Sequence, residues 1–125
     1  MLIKLMKAKL HRATVTQADV HYEGSIGVDE ELLKASGILP FEAVHVWDVT
    51  NAQRFETYAL PLRGGSGQIC VNGAAARLVQ PGDLVIVASF AWMEESAAQK
   101  HKPTVVLIGA GNRIASVESQ TGDPR

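Results

Sequence analysis

Apolar and polar residues along this chain fall in short runs bounded by turn residues, a spacing that predicts strands more than helices. Residues 44–49 read Val-His-Val-Trp-Asp-Val, a period of two that suits a half-buried strand. Thr50, Asn51, Ala52 and Gln53 then offer a turn, and residues 54–60 read as the returning strand of a hairpin. Residues 9–15, 68–72, 84–90 and 105–108 are further strand candidates, the third entered through the tight turn of Pro81, Gly82 and Asp83. The clearest helix starts at Asp29. An N-cap aspartate, two glutamates in the first turn and Gly37 just past the end mark both its limits. Residues 73–77 suit a single helical turn. The polar stretch from Gly109 lacks a strand period, and residues of about 112–125 are expected to form a flexible tail. Strands this short and this closely spaced argue against a doubly wound parallel sheet. They predict a mainly β barrel with short helical insertions.

Composition narrows the chemistry. At 125 residues the chain forms one domain, with 12 Lys+Arg against 13 Asp+Glu. That balance excludes a polybasic nucleic-acid binder, so no nucleic acid is expected as partner. The longest apolar run, residues 84–93, is too short for a membrane-spanning helix, and lysines interrupt the N-terminal stretch where a signal peptide needs an apolar core. No membrane association and a cytoplasmic location are therefore expected. Cys70 stands alone, which excludes an internal disulfide. His11, His21, His45 and His101 lie at irregular spacings, so no metal site is expected. Gly109 and Gly111 lack the further residues of a phosphate loop.

Few ordinary catalytic parts remain, which draws attention to Tyr22-Glu23-Gly24-Ser25. Locally this is a loop. Chemically, a serine hydroxyl after glycine can attack the preceding carbonyl if the backbone is held in strain, and glycine tolerates such strain best. The resulting ester can eliminate to dehydroalanine, which hydrolyses to a pyruvoyl group. Residues 54–58 offer a second cluster. If they form a strand, Arg54, Glu56 and Tyr58 share one face while Phe55 and Thr57 share the other. Asn72, Gly73, Ala74 and Ala75 are small enough for a ligand to approach their backbone amides.

Taken in order, several segments resemble the pyruvoyl-dependent aspartate 1-decarboxylase family. They are Lys9-Leu10-His11-Arg12-Ala13-Thr14-Val15-Thr16, Ala18-Asp19-Val20-His21-Tyr22-Glu23-Gly24-Ser25 and Ala35-Ser36-Gly37-Ile38-Leu39. Arg54-Phe55-Glu56-Thr57-Tyr58, Val71-Asn72-Gly73-Ala74-Ala75-Ala76 and Pro81-Gly82-Asp83-Leu84-Val85-Ile86 complete the set. Each motif is weak alone, but the ordered set, spanning about residues 1–93, is specific. The resemblance implies a double-psi β-barrel and a homotetramer with active sites between subunits. It implies cleavage between Gly24 and Ser25 into residues 1–24 and 25–125, with Ser25 becoming a covalent pyruvoyl group and neither metal nor pyridoxal phosphate required.

By matched position, Tyr58 is the proton donor, and Lys9 and Arg54 contact the carboxylates of L-aspartate. Thr57, Gly73, Ala74 and Ala75 line the substrate site, with Asn72 and Thr57 supporting cleavage; His11 and Tyr22 border the pocket. The implied reaction converts L-aspartate to β-alanine and CO2 through a Schiff base, supplying pantothenate synthesis, and maturation can involve a helper protein. Ile26 departs from family members that carry a smaller or thiol side chain after the serine, which bears on cleavage rate. A non-catalytic ligand-binding barrel is the rival reading, and it predicts an uncleaved chain.

Overall fold

The computed structural model describes residues 1–124. Its strands are β1 (Leu2–Thr14), β2 (Gln17–Asp19), β3 (Ser25–Asp29), β4 (Ala43–Asp48), β5 (Arg54–Leu62), β6 (Ile69–Asn72), β7 (Leu84–Glu94), β8 (Thr104–Ile108) and β9 (Ile114–Ser119). Two short helices interrupt them, α1 (Glu30–Ser36) and α2 (Glu95–Ala98), and a 3₁₀ turn spans Gly73–Leu78. The mainly β class with short helical insertions is as expected.

Hydrogen bonding orders the strands β2-β6-β3-β5-β4-β7-β1-β8-β9. Only Val15 and Thr16 separate the end of β1 from β2, yet those strands lie far apart in that order. The strip must therefore curl round until the chain itself joins them. Val15 N bonds Asp83 O at 2.9 Å and Thr16 N bonds Ile69 O at 2.8 Å, fastening the junction to both sides. A barrel results, in keeping with the double-psi β-barrel that the family resemblance implies. Its interior is filled by β-branched and small residues, among them Val15, Ile26, Val28, Val44, Val46, Ile69, Val85 and Val87, all at most 1% exposed.

The helix signals act as the sequence predicts. Asp29 accepts a bond from Glu31 N at 2.9 Å as N-cap, and Gly37 ends α1 in the left-handed conformation at φ +79°. Asp29 also accepts from Gly65 N at 3.0 Å and Gly67 N at 2.9 Å, so one carboxylate ties the helix start to the glycine loop.

Two expectations are corrected. The first strand starts at Leu2 rather than near Lys9, because Leu2 to Phe90-facing Met6 pair with the far half of β7, forming a ribbon whose lysines need no apolar period. The stretch from residue 112 is not simply a flexible tail. Asn112 is buried, bonded to Thr14 N, Thr14 O and Gly67 O, and β9 then pairs antiparallel with β8. As an edge strand exposed on most of its residues, β9 needs no hydrophobic alternation, so its pattern is polar.

Candidate active site

The Gly24–Ser25 bond lies where a loop enters β3. Every residue of β3 is buried, since the strand runs between β5 (parallel) and β6 (antiparallel). Ser25 is 1% exposed and is the register partner of Asn72, whose Nδ2 donates to Ser25 Oγ at 3.1 Å. The hydroxyl in turn donates to Glu23 O at 3.4 Å, while Tyr22, Glu23 and Gly24 are exposed. A nucleophilic oxygen is thus fixed inside the fold beside a solvent-facing glycine.

One step beyond the Ser25–Asn72 pair, Gly24 meets Gly73. A Cβ placed on Gly73 would lie 2.6 Å from Gly24 Cα, 2.9 Å from Gly24 N and 3.3 Å from Tyr22 O. Gly73 also has φ +77°. Both the space and the backbone angle require glycine here.

On the other flank the register pairs Ile26 with Ala59. Continued back along both strands, it aligns Ser25 with Tyr58 and Gly24 with Thr57. Side chains alternate along a strand, so Asn72, Ser25 and Tyr58 fall in one row across β6, β3 and β5. Thr57 takes the opposite face, with its partner Val44. The Tyr58 ring stacks on Phe41, centroids 6.2 Å apart and planes at 23°, and Phe41 is held at φ +69°. Ala74 and Ala75 follow Gly73 in the 3₁₀ turn, Ala74 exposed and Ala75 half-buried.

The remaining candidates lie elsewhere in the single chain. Arg54 shares the Tyr58 face of β5 but sits four residues earlier, about 13 Å along the strand. It lines a cleft of 490 Å³ with Lys4, His45, Trp47, Phe55, Glu56 and Phe90. Lys9 and His11 line a separate hollow of 320 Å³ with Val105, Leu107 and Gln120. There burial, reinforced by Lys9 and Arg12, lowers the His11 pKa and favours the neutral imidazole. Its Nδ1 is buried without a hydrogen-bond partner among the described residues.

The fold thus brings Gly24, Ser25, Tyr58, Asn72 and Gly73 together, turns the Thr57 side chain to the other face of β5, and leaves Lys9, His11 and Arg54 apart. Sequence reasoning missed two contacts, Phe41 under Tyr58 and Trp47 under Arg54. Trp47 could have been found by pairing the two arms of the residue 44–60 hairpin; Phe41, in a loop, left no such signal.

A family model described as aspartate decarboxylase matches residues 1–115, beyond the segment of about residues 1–93 that carries the motifs. The aspartate 1-decarboxylase of Legionella pneumophila (strain Lens) is 56% identical over 94% of this chain and 88% of its own. That of Hyphomonas neptunium is 57% identical over 91% of this chain and 97% of its own. The crystal structure of the rationally designed protein mkDPBB_sym_86 aligns with a TM-score of 0.48 at 17% identity, over 63% of this chain and 92% of that one. Matches of this extent to named decarboxylases leave no doubt about kinship: the chain belongs to the aspartate decarboxylase family of enzymes.

Proposed function

We propose that this chain cleaves itself between Gly24 and Ser25 and then decarboxylates L-aspartate to β-alanine with the pyruvoyl group so formed. The observation carrying this reading is the buried Ser25 hydroxyl, fixed by Asn72 at 3.1 Å at the end of the exposed Tyr22–Gly24 loop. Ser25 Oγ adds to the Gly24 carbonyl and the C–N bond breaks, giving an ester and a free amine on residue 25. Loss of the residue 25 α-proton then expels the Gly24 carboxylate and leaves dehydroalanine. Water replaces its nitrogen, which departs as ammonia, and the fragment 25–125 begins with a ketone. The missing side chain on Gly73 lets the Gly24 backbone pack directly against it beside the bond to be broken.

The pyruvoyl ketone condenses with the substrate amine and accepts the electron pair released with CO2, the part usually played by pyridoxal phosphate. Tyr58, in line with Ser25 by register, offers its phenol O–H to the carbon that lost CO2. Arg54 presents a fork suited to the carboxylate that remains, and Lys9 a second cation. Neither lies in the Ser25 row of its own chain, which supports a homotetramer whose sites draw residues from two subunits. β-Alanine supplied to pantothenate synthesis in the cytoplasm, and maturation aided by a helper protein, follow from the family resemblance.

The test is formation of β-alanine from L-aspartate by purified chain, with and without phenylhydrazine. Activity should track the cleaved fraction and be abolished by this carbonyl reagent. Activity in uncleaved chain, or activity indifferent to the reagent, would contradict the proposal.

A further inference from the structure

Arg54 and Trp47 are directly opposed register partners on β5 and β4. The guanidinium carbon lies 4.7 Å from the centre of the indole ring. No carboxylate of the described residues lies within ion-pair distance of Arg54; the pairs there are Met1–Glu94, Lys7–Glu42 and Lys34–Glu30. Glu56, two residues along the same strand face, shares the cleft without pairing. Among the described residues the indole contact is therefore what holds the Arg54 guanidinium. A cation over an aromatic ring makes no hydrogen bond with it, so the guanidinium N–H donors stay free for a bidentate bond to a carboxylate.

The indole is itself supported. Phe90 packs against Trp47 with centroids 6.4 Å apart, and His45 meets Phe90 edge-on at 5.1 Å. Lys4 Nζ lies 5.5 Å from the Phe90 ring centre. The platform is anchored in β4 and β7, central strands of the barrel wall, so it is stiff where Arg54 alone is long and exposed.

We infer that Trp47 is a positioning residue, fixing the Arg54 guanidinium edge-on to the substrate carboxylate. This rests on the reading of Arg54 as a substrate contact. Trp47 does not touch the reacting atoms; it acts by sparing Arg54 the ordering cost of binding. Removing the ring should raise KM more than it lowers kcat.

The experiment is a kinetic double-mutant cycle on the cleaved enzyme with L-aspartate. Trp47→Leu should raise KM about three- to tenfold, while Trp47→Phe, which keeps an aromatic face, should recover most of the loss. Should Trp47→Leu fail to fold, Trp47→Met supplies the non-aromatic arm. In an Arg54→Lys background the Trp47 substitution should change KM little, because the stacked fork is already gone. An equal KM penalty in both backgrounds, or no penalty in either, overturns the positioning role. If Arg54→Lys by itself leaves KM unchanged, the fault lies instead in assigning Arg54 to the substrate.

Discussion

Asn72 Nδ2 donates to Ser25 Oγ at 3.1 Å, across the register pair that joins β6 to β3. The bond fixes the hydroxyl rotor, and it leaves the hydroxyl proton directed at Glu23 O. Replacing Asn72 with Ala should leave the fold intact and slow the appearance of fragment 25–125 by roughly five- to tenfold, the worth of one hydrogen bond. Gel densitometry of freshly purified chain over time checks it, and an unaltered rate would remove Asn72 from the cleavage machinery.

Gly73→Ala probes the packing against Gly24, on the other side of the Gly24–Ser25 peptide bond. The added methyl meets Gly24 Cα at 2.6 Å, and the residue must still hold φ +77°. A destabilisation of about 1–3 kcal/mol is expected, together with retarded cleavage. Thermal denaturation and intact-chain fraction report the two effects separately.

Tyr58→Phe should separate maturation from turnover. The phenol hydroxyl is lost while the ring keeps its stack on Phe41. Cleavage should proceed, and kcat for aspartate should fall by about 10²–10⁴-fold, the range for a lost general acid. A near-normal kcat would reassign the proton donor.

Two buried aspartates give pH dependences of opposite sign. Burial pushes the Asp29 carboxyl up, but backbone N–H donors from Gly67, Glu31 and Gly65 outweigh it and hold its pKa below the usual value. Its stabilising contribution is thus present above the unfolded pKa and lost as pH falls through the folded one. Asp29→Ala should cost about 2 kcal/mol near neutrality, and less in acid. Asp48 behaves conversely: burial and the neighbouring Asp83 raise its pKa, and its Oδ2 has no hydrogen-bond partner among the described residues. Its contribution is present below the unfolded pKa and disappears as pH rises through the folded one. Asp48→Asn keeps the acceptor for Thr50 N and Asn51 N and adds a donor toward Asp83. It should stabilise the protein at neutral pH by about 1–2 kcal/mol, with little gain in acid. Chemical denaturation across the pH range distinguishes both signs.

What could be read from the sequence followed local physics. The caps of α1, the alternation in β4 and the turn before β7 are short-range signals, and each lies where it was expected. β9 could not be read, because an edge strand anchored by Asn112 needs no apolar period. The site was legible as motifs but not as geometry. Nothing in the spacing of Gly24, Tyr58 and Gly73 tells that β5 and β6 flank β3. The separation of Lys9 and Arg54 from Ser25 likewise depends on how the strip curls, a long-range property.

Intact mass spectrometry of the purified chain tests the claim of self-cleavage most directly. Two species are expected, residues 1–24 with a free carboxylate and residues 25–125 beginning in a ketone. Their summed mass should exceed that of the intact chain by one water less one ammonia, and Ser25→Ala should yield a single uncleaved species. A wild-type chain that stays whole while turning aspartate into β-alanine would contradict it.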